Sequence, residues 1–120
     1  MTKKTKKLLS ITILNVKGLS DQTKRHSTFL SLQSNPADII LLQETNITPL
    51  QIPFIQSQWL LPSFWNYYTA ILINNKNINT DDVQTFFEGQ HQILEFSLNG
   101  NLYRINNIYA LPQHAKRLAF

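Results

Sequence analysis

The chain has 120 residues, enough for one small domain and too short for two. With 42% hydrophobic and 11% aromatic residues it can bury a core, which excludes wholesale disorder, and having no cysteine it excludes disulfides, thiolate metal sites and thiol nucleophiles. The net charge of +4 is concentrated: Lys3, Lys4, Lys6 and Lys7 are four of the eleven basic residues, and the other seven balance seven acids, so residues 1–7 read as a basic tail on a neutral body.

Ser10, Thr12 and Asn15 interrupt the apolar run behind that tail and no small-residue cleavage site follows, which argues against a secretory signal. Nothing approaches the ~20 apolar residues of a membrane span. The missing cysteines are compatible with a reducing compartment, intracellular or nuclear, without fixing one.

Residues 8–15 alternate, with Leu9, Ile11, Ile13 and Asn15 on one face, and predict a first strand. Gly18 breaks it. Ser20 or Asp21 can cap a helix running to Gln33, with His26, Phe29, Leu30 and Gln33 on its shared face. Asn35-Pro36 ends the helix, and the aliphatic run from Asp38 to Gln43 predicts a buried strand that carries Glu44 to the sheet rim. Strand, helix and strand in some forty residues make a βαβ unit with parallel strands, so the ends marked by Asn15 and Glu44 fall on one sheet edge, where α/β ligands gather.

Residues 46–66 carry Pro49, Pro53 and Pro62 among many aromatics and read as an irregular connection with one short helix near 54–59. Residues 67–74 predict another apolar strand, and the asparagine-rich stretch up to Asp82 a loop. Asn99-Gly100 between alternating runs predicts a type I′ hairpin turn. Opposed positions then sum to about 199, which pairs Phe96 with Tyr103, Leu94 with Ile105 and Glu95 with Arg104. Asn107 and Tyr109 keep the core-facing parity of this last strand, and His91 faces away. After Pro112, residues 113–120 read as the opening of a helix.

The edge thus collects Asn15, Glu44 and Tyr109: an amide, a carboxylate and a phenol. This set suits Mg²⁺ or Mn²⁺ and a phosphate, and suits zinc poorly. The motifs are more specific. Ile13-Leu14-Asn15-Val16-Lys17-Gly18-Leu19, Lys24-Arg25, Asp38-Ile39-Ile40-Leu41-Leu42-Gln43-Glu44-Thr45, Ala70-Ile71-Leu72-Ile73 and Asn107-Ile108-Tyr109-Ala110, with Arg117 and Phe120 beyond, resemble the endonuclease/exonuclease/phosphatase superfamily. Within it the chain is most similar to the apurinic-type endonuclease domain of non-LTR retrotransposons. The resemblance implies an α/β fold, a four-layer sandwich of two sheets flanked by helices, of which residues 8–120 form the N-terminal half, truncated after five or six strands. It also implies Mg²⁺- or Mn²⁺-dependent nicking of DNA, with Asn15 and Tyr109 as catalytic residues, Glu44 as the metal ligand and Gln43 in support.

Asn46 stands where relatives have histidine, Tyr68-Thr69 where they have small residues, and Leu111 where proline follows Tyr-Ala. The family's Gly-Asp-x-Asn motif, later aspartate and Ser-Asp-His have no counterpart in the sequence, and none of His26, His91 and His114 follows an aspartate. The expected product is therefore an endonuclease half-domain, inactive alone, whose partner would be the other half of the domain. Two other readings stay open on the residues. One is a non-catalytic module that holds nucleic acid through the tail, Lys24 and Arg25. The other is a decayed gene product without function.

Overall fold

The computed structural model describes residues 8–110; the basic tail and the helix expected at 113–120 lie outside them. The described elements run β1 (Ile11–Asn15), α1 (Gln22–Gln33), β2 (Ile39–Gln43), α2 (Ile52–Gln58), β3 (Ser63–Trp65), β4 (Thr69–Ile73), β5 (Asn79–Phe86), a 3-10 turn (Phe87–Gly89), β6 (His91–Leu98) and β7 (Asn101–Ile108). They form a mixed α/β fold with two sheets, ordered β1-β2-β4-β3 and β5-β6-β7.

β2 organises the molecule because both its faces are apolar. Ile40 and Leu42 join Leu19, Phe29, Leu32, Trp59, Trp65, Ala70 and Leu72 in a core beneath the helices. Ile39 and Leu41 join Ile71, Ile73, Leu94, Phe96 and Leu98 between the two sheets. This is what a continuous aliphatic run does in a strand, since successive side chains leave on opposite faces. The described residues therefore make three layers: helices, first sheet, second sheet.

The βαβ expectation holds at the level of register. β1 runs parallel to β2, with Ile11 opposite Ile39 and Asn15 opposite Gln43. Asp21 caps α1 by accepting from the Lys24 amide at 2.8 Å. The buried face of α1 differs from the expected one: Arg25, Phe29 and Leu32 are buried, while His26, Leu30 and Gln33 are exposed. The reason is Arg25, whose stem occupies an apolar position while its guanidinium donates to Leu19 O (2.8 Å), Ser20 O (3.1 Å) and Gln58 Oε1 (2.8 Å). Phe29 packs edge-on against Trp59, centroids 5.5 Å apart.

The described residues hold seven strands where five or six were expected; β3 lies in the stretch read as irregular, and β5 begins inside the loop expected up to Asp82. Ser63–Trp65 pairs with β4, and Asn79–Phe86 pairs with β6 across an irregularity between Thr80 and Asp82. Both are edge strands, held by backbone bonds on one side only, so neither needs the apolar alternation that marks a core strand. The hairpin has the expected register, with Phe96 opposite Tyr103, Leu94 opposite Ile105 and Glu95 opposite Arg104. Asn99 (φ 53°) and Gly100 (φ 81°) supply the two positive φ angles of the turn. No helix among the described residues is long and apolar enough to cross a membrane.

Candidate functional site

Parallel pairing carries the chain past the ends of β1 and β2 together. Val16 N donates to Gln43 O at 3.0 Å, Gly18 N to Glu44 O at 2.7 Å and Leu19 N to Thr45 O at 2.9 Å. Within this paired edge Lys17 (φ 53°), Glu44 (φ 60°) and Asn46 (φ 54°) all hold left-handed backbone without being glycine. Each such residue costs on the order of 1 kcal/mol, and such conformations cluster where a side chain must be aimed.

Glu44 is aimed at Asn15 and Tyr109. Asn15 Nδ2 donates to Glu44 Oε1 at 3.2 Å, and Tyr109 Oη donates to the same oxygen at 3.3 Å. Asn15 is oriented in turn by the Lys17 amide, which donates to its Oδ1 at 3.0 Å. The three residues that the sequence placed at one edge are thus joined, across 29 and 65 positions of chain. Burial pushes the Tyr109 phenol above its ordinary pKa, and the neighbouring Glu44 carboxylate pushes it further the same way. Tyr109 is therefore a neutral donor at physiological pH.

Two further side chains bring Tyr109 to this place. Gln43 Nε2 donates to Ile108 O at 2.7 Å, stitching the end of β2 to the end of β7. Asn107 is 1% exposed. Its amide donates to Leu42 O (3.1 Å), Ala70 O (3.0 Å) and Gln92 Oε1 (3.3 Å), pinning β7 across β2 and β4. Its Oδ1 is buried with no partner among the described residues, a penalty tolerated because the donor side fixes two sheets together. The family resemblance gives Gln43 a supporting part; for Asn107 the sequence offers only its inward parity as a signal.

Asn15 Oδ1 and the Glu44 carboxylate present hard oxygen atoms, and both described hydrogen bonds to the carboxylate fall on Oε1, so Oε2 is the atom that could meet a cation. Among the described residues no group of three or more His, Cys, Asp or Glu lies together. The set fits Mg²⁺ or Mn²⁺ held by one carboxylate, waters and a substrate phosphate, and does not make an all-protein cage. No described imidazole stands at the site: His26 is exposed on α1 and His91 pairs outward with Asn106 Oδ1 at 2.9 Å.

The two basic residues expected to touch nucleic acid separate. Lys24 is exposed and its ammonium donates to Lys17 O at 3.0 Å, beside the loop that follows Asn15. Arg25 is 3% exposed and committed to the three internal acceptors named above, so it is a packing and bridging residue and not a surface contact. No family model matches the chain, and no curated protein matches it.

Proposed function

We propose that this chain carries half of a metal-dependent phosphodiesterase site of the endonuclease/exonuclease/phosphatase type, on the N-terminal half of its four-layer sandwich. DNA is its substrate class, as in the apurinic-type endonucleases of non-LTR retrotransposons. The observation that carries this reading is the convergence of Asn15 and Tyr109 on one oxygen of Glu44. In the proposed roles Glu44 holds Mg²⁺ or Mn²⁺, Tyr109 exchanges its single O–H bond to Glu44 for one to a phosphate oxygen when substrate binds, Asn15 orients the carboxylate and Gln43 holds the end of β7 in place. A cation bound there supplies neutralisation of phosphate charge.

The 120 residues taken by themselves are expected to bind without cleaving. Hydrolysis needs a base to take a proton from water, and of the described imidazoles His26 is exposed on α1 and His91 pairs with Asn106, so neither serves Glu44. The edge strands support a partner that completes the domain. Ile13 on β1 is 59% exposed, and the inward-facing Tyr103 and Ile105 of β7 are only half-buried, so apolar surface lies open along this flank.

The test is a supercoiled plasmid incubated with the chain and Mg²⁺ or Mn²⁺. No nicking is expected, together with plasmid retention that rises with the cation and loses that rise in Glu44→Gln. Nicking that disappears in Glu44→Gln would overturn the inactive assignment, and retention indifferent to both cation and Glu44 would overturn the site.

A further inference from the structure

Beside Glu44 lies a set of aromatic rings that neither core uses. Tyr67 and Tyr68 precede β4, and their loop is fastened to the segment bearing Glu44. Thr45 N donates to Tyr68 O (3.2 Å) and Ile47 N to Tyr67 O (3.1 Å), while Thr45 Oγ1 donates to Tyr67 O at 2.8 Å. The Tyr68 ring lies 5.9 Å from that of Tyr109 at 31°, and the Tyr67 ring lies 4.8 Å from Tyr68 at 87°. Exposure grows outward along this row, from Tyr109 (8%) through half-buried Tyr68 to Tyr67 (42%). Tyr109 is buried, but Tyr67 and Tyr68 belong to neither hydrophobic cluster, so core packing does not account for those two.

An aromatic face rigidly held next to a phosphate site has a natural ligand in nucleic acid, because every base offers a π face. A base inside a duplex is covered on both sides, whereas an unpaired or extruded one is free to stack. We infer that the exposed ring of Tyr67, braced edge-to-face by Tyr68 at 87°, is a stacking platform for an unpaired nucleobase next to the phosphate held at Glu44, so the preferred substrate is single-stranded or locally opened DNA. This rests on the phosphodiester reading of Glu44 and adds the state of the base to it. Tyr67 supplies the exposed end, and Tyr68 ties it to Tyr109.

The experiment uses the full chain with a labelled single-stranded 12-mer and a 12-mer of the same charge made of abasic residues, each measured by fluorescence anisotropy with and without Mn²⁺. Equal charge cancels any contribution of the basic tail. The base-containing strand should bind at least about fivefold tighter than the abasic one, since stacking contributes about 1–3 kcal/mol per base. Tyr67→Leu should remove most of that difference while leaving abasic binding unchanged, and Tyr67→Phe should keep it. The exposure of Tyr67 and its place outside both cores make Leu tolerable to the fold. Equal binding of the two strands, or equal weakening of both by Tyr67→Leu, would overturn the platform. Mn²⁺-dependent abasic binding that vanishes in Glu44→Gln would then leave the phosphate reading standing without it. A base preference with no Mn²⁺ dependence would do the reverse.

Discussion

Glu44 holds its carboxylate in place at the expense of backbone comfort, with φ at 60°. Relief of that strain should be measurable. Glu44→Gly, free to adopt the left-handed region, is expected to raise stability in urea unfolding by up to about 1 kcal/mol while losing cation binding, the opposed changes expected of a residue kept for a task. A loss of stability would mean that its bonds to Asn15 and Tyr109 outweigh the strain. Tyr109 adds a pH signature. Its phenol is raised in the folded state by burial and by Glu44, so folding favours the neutral form. The stability this contributes is complete below the ordinary tyrosine pKa of about 10 and is lost as pH climbs through the raised folded value. Tyr109→Phe should flatten the alkaline fall in thermal midpoint; an unchanged fall would assign it to other groups.

At the scale of elements, the site depends on the end of β7 being pinned over β2 and β4. Asn107→Ala removes three hydrogen bonds from a residue 1% exposed and should destabilise the fold by roughly 2–3 kcal/mol. It should also shift the resonances of Tyr109 and Glu44. Destabilisation without those shifts would show that β7 keeps its place through Gln43 and the sheet alone. The parallel pairing of β1 with β2 and the hairpin register were legible because their cues are local: a βαβ spacing in one case, Asn99-Gly100 between alternating runs in the other. β3 and β5 were not legible, because edge strands are held by backbone partners that no side-chain pattern announces. The buried face of α1 was not legible because Arg25, a charged residue, fills an apolar position through its stem.

For the whole molecule, the joined residues Asn15, Glu44 and Tyr109 were readable from strand parity and motif together. The strained backbone at Lys17, Glu44 and Asn46 left no mark in the residue types, since none is glycine. The tyrosine row was visible only as a departure from small residues. What the fold adds is the flank. Among the described residues β1 and β7 are both edge strands, and the apolar side chains Ile11 and Ile13 stand 38% and 59% exposed, which leaves an open apolar flank.

In the proposed function, one carboxylate held by an amide and a phenol receives a divalent cation together with a phosphodiester. The direct measurement is site-resolved paramagnetic broadening of the amide spectrum by Mn²⁺ in the presence of a short oligonucleotide. Broadening is expected to focus on the edge around Asn15, Lys17, Glu44, Thr45 and Tyr109 and to be absent in Glu44→Gln. Broadening centred elsewhere, or unchanged in Glu44→Gln, would contradict it.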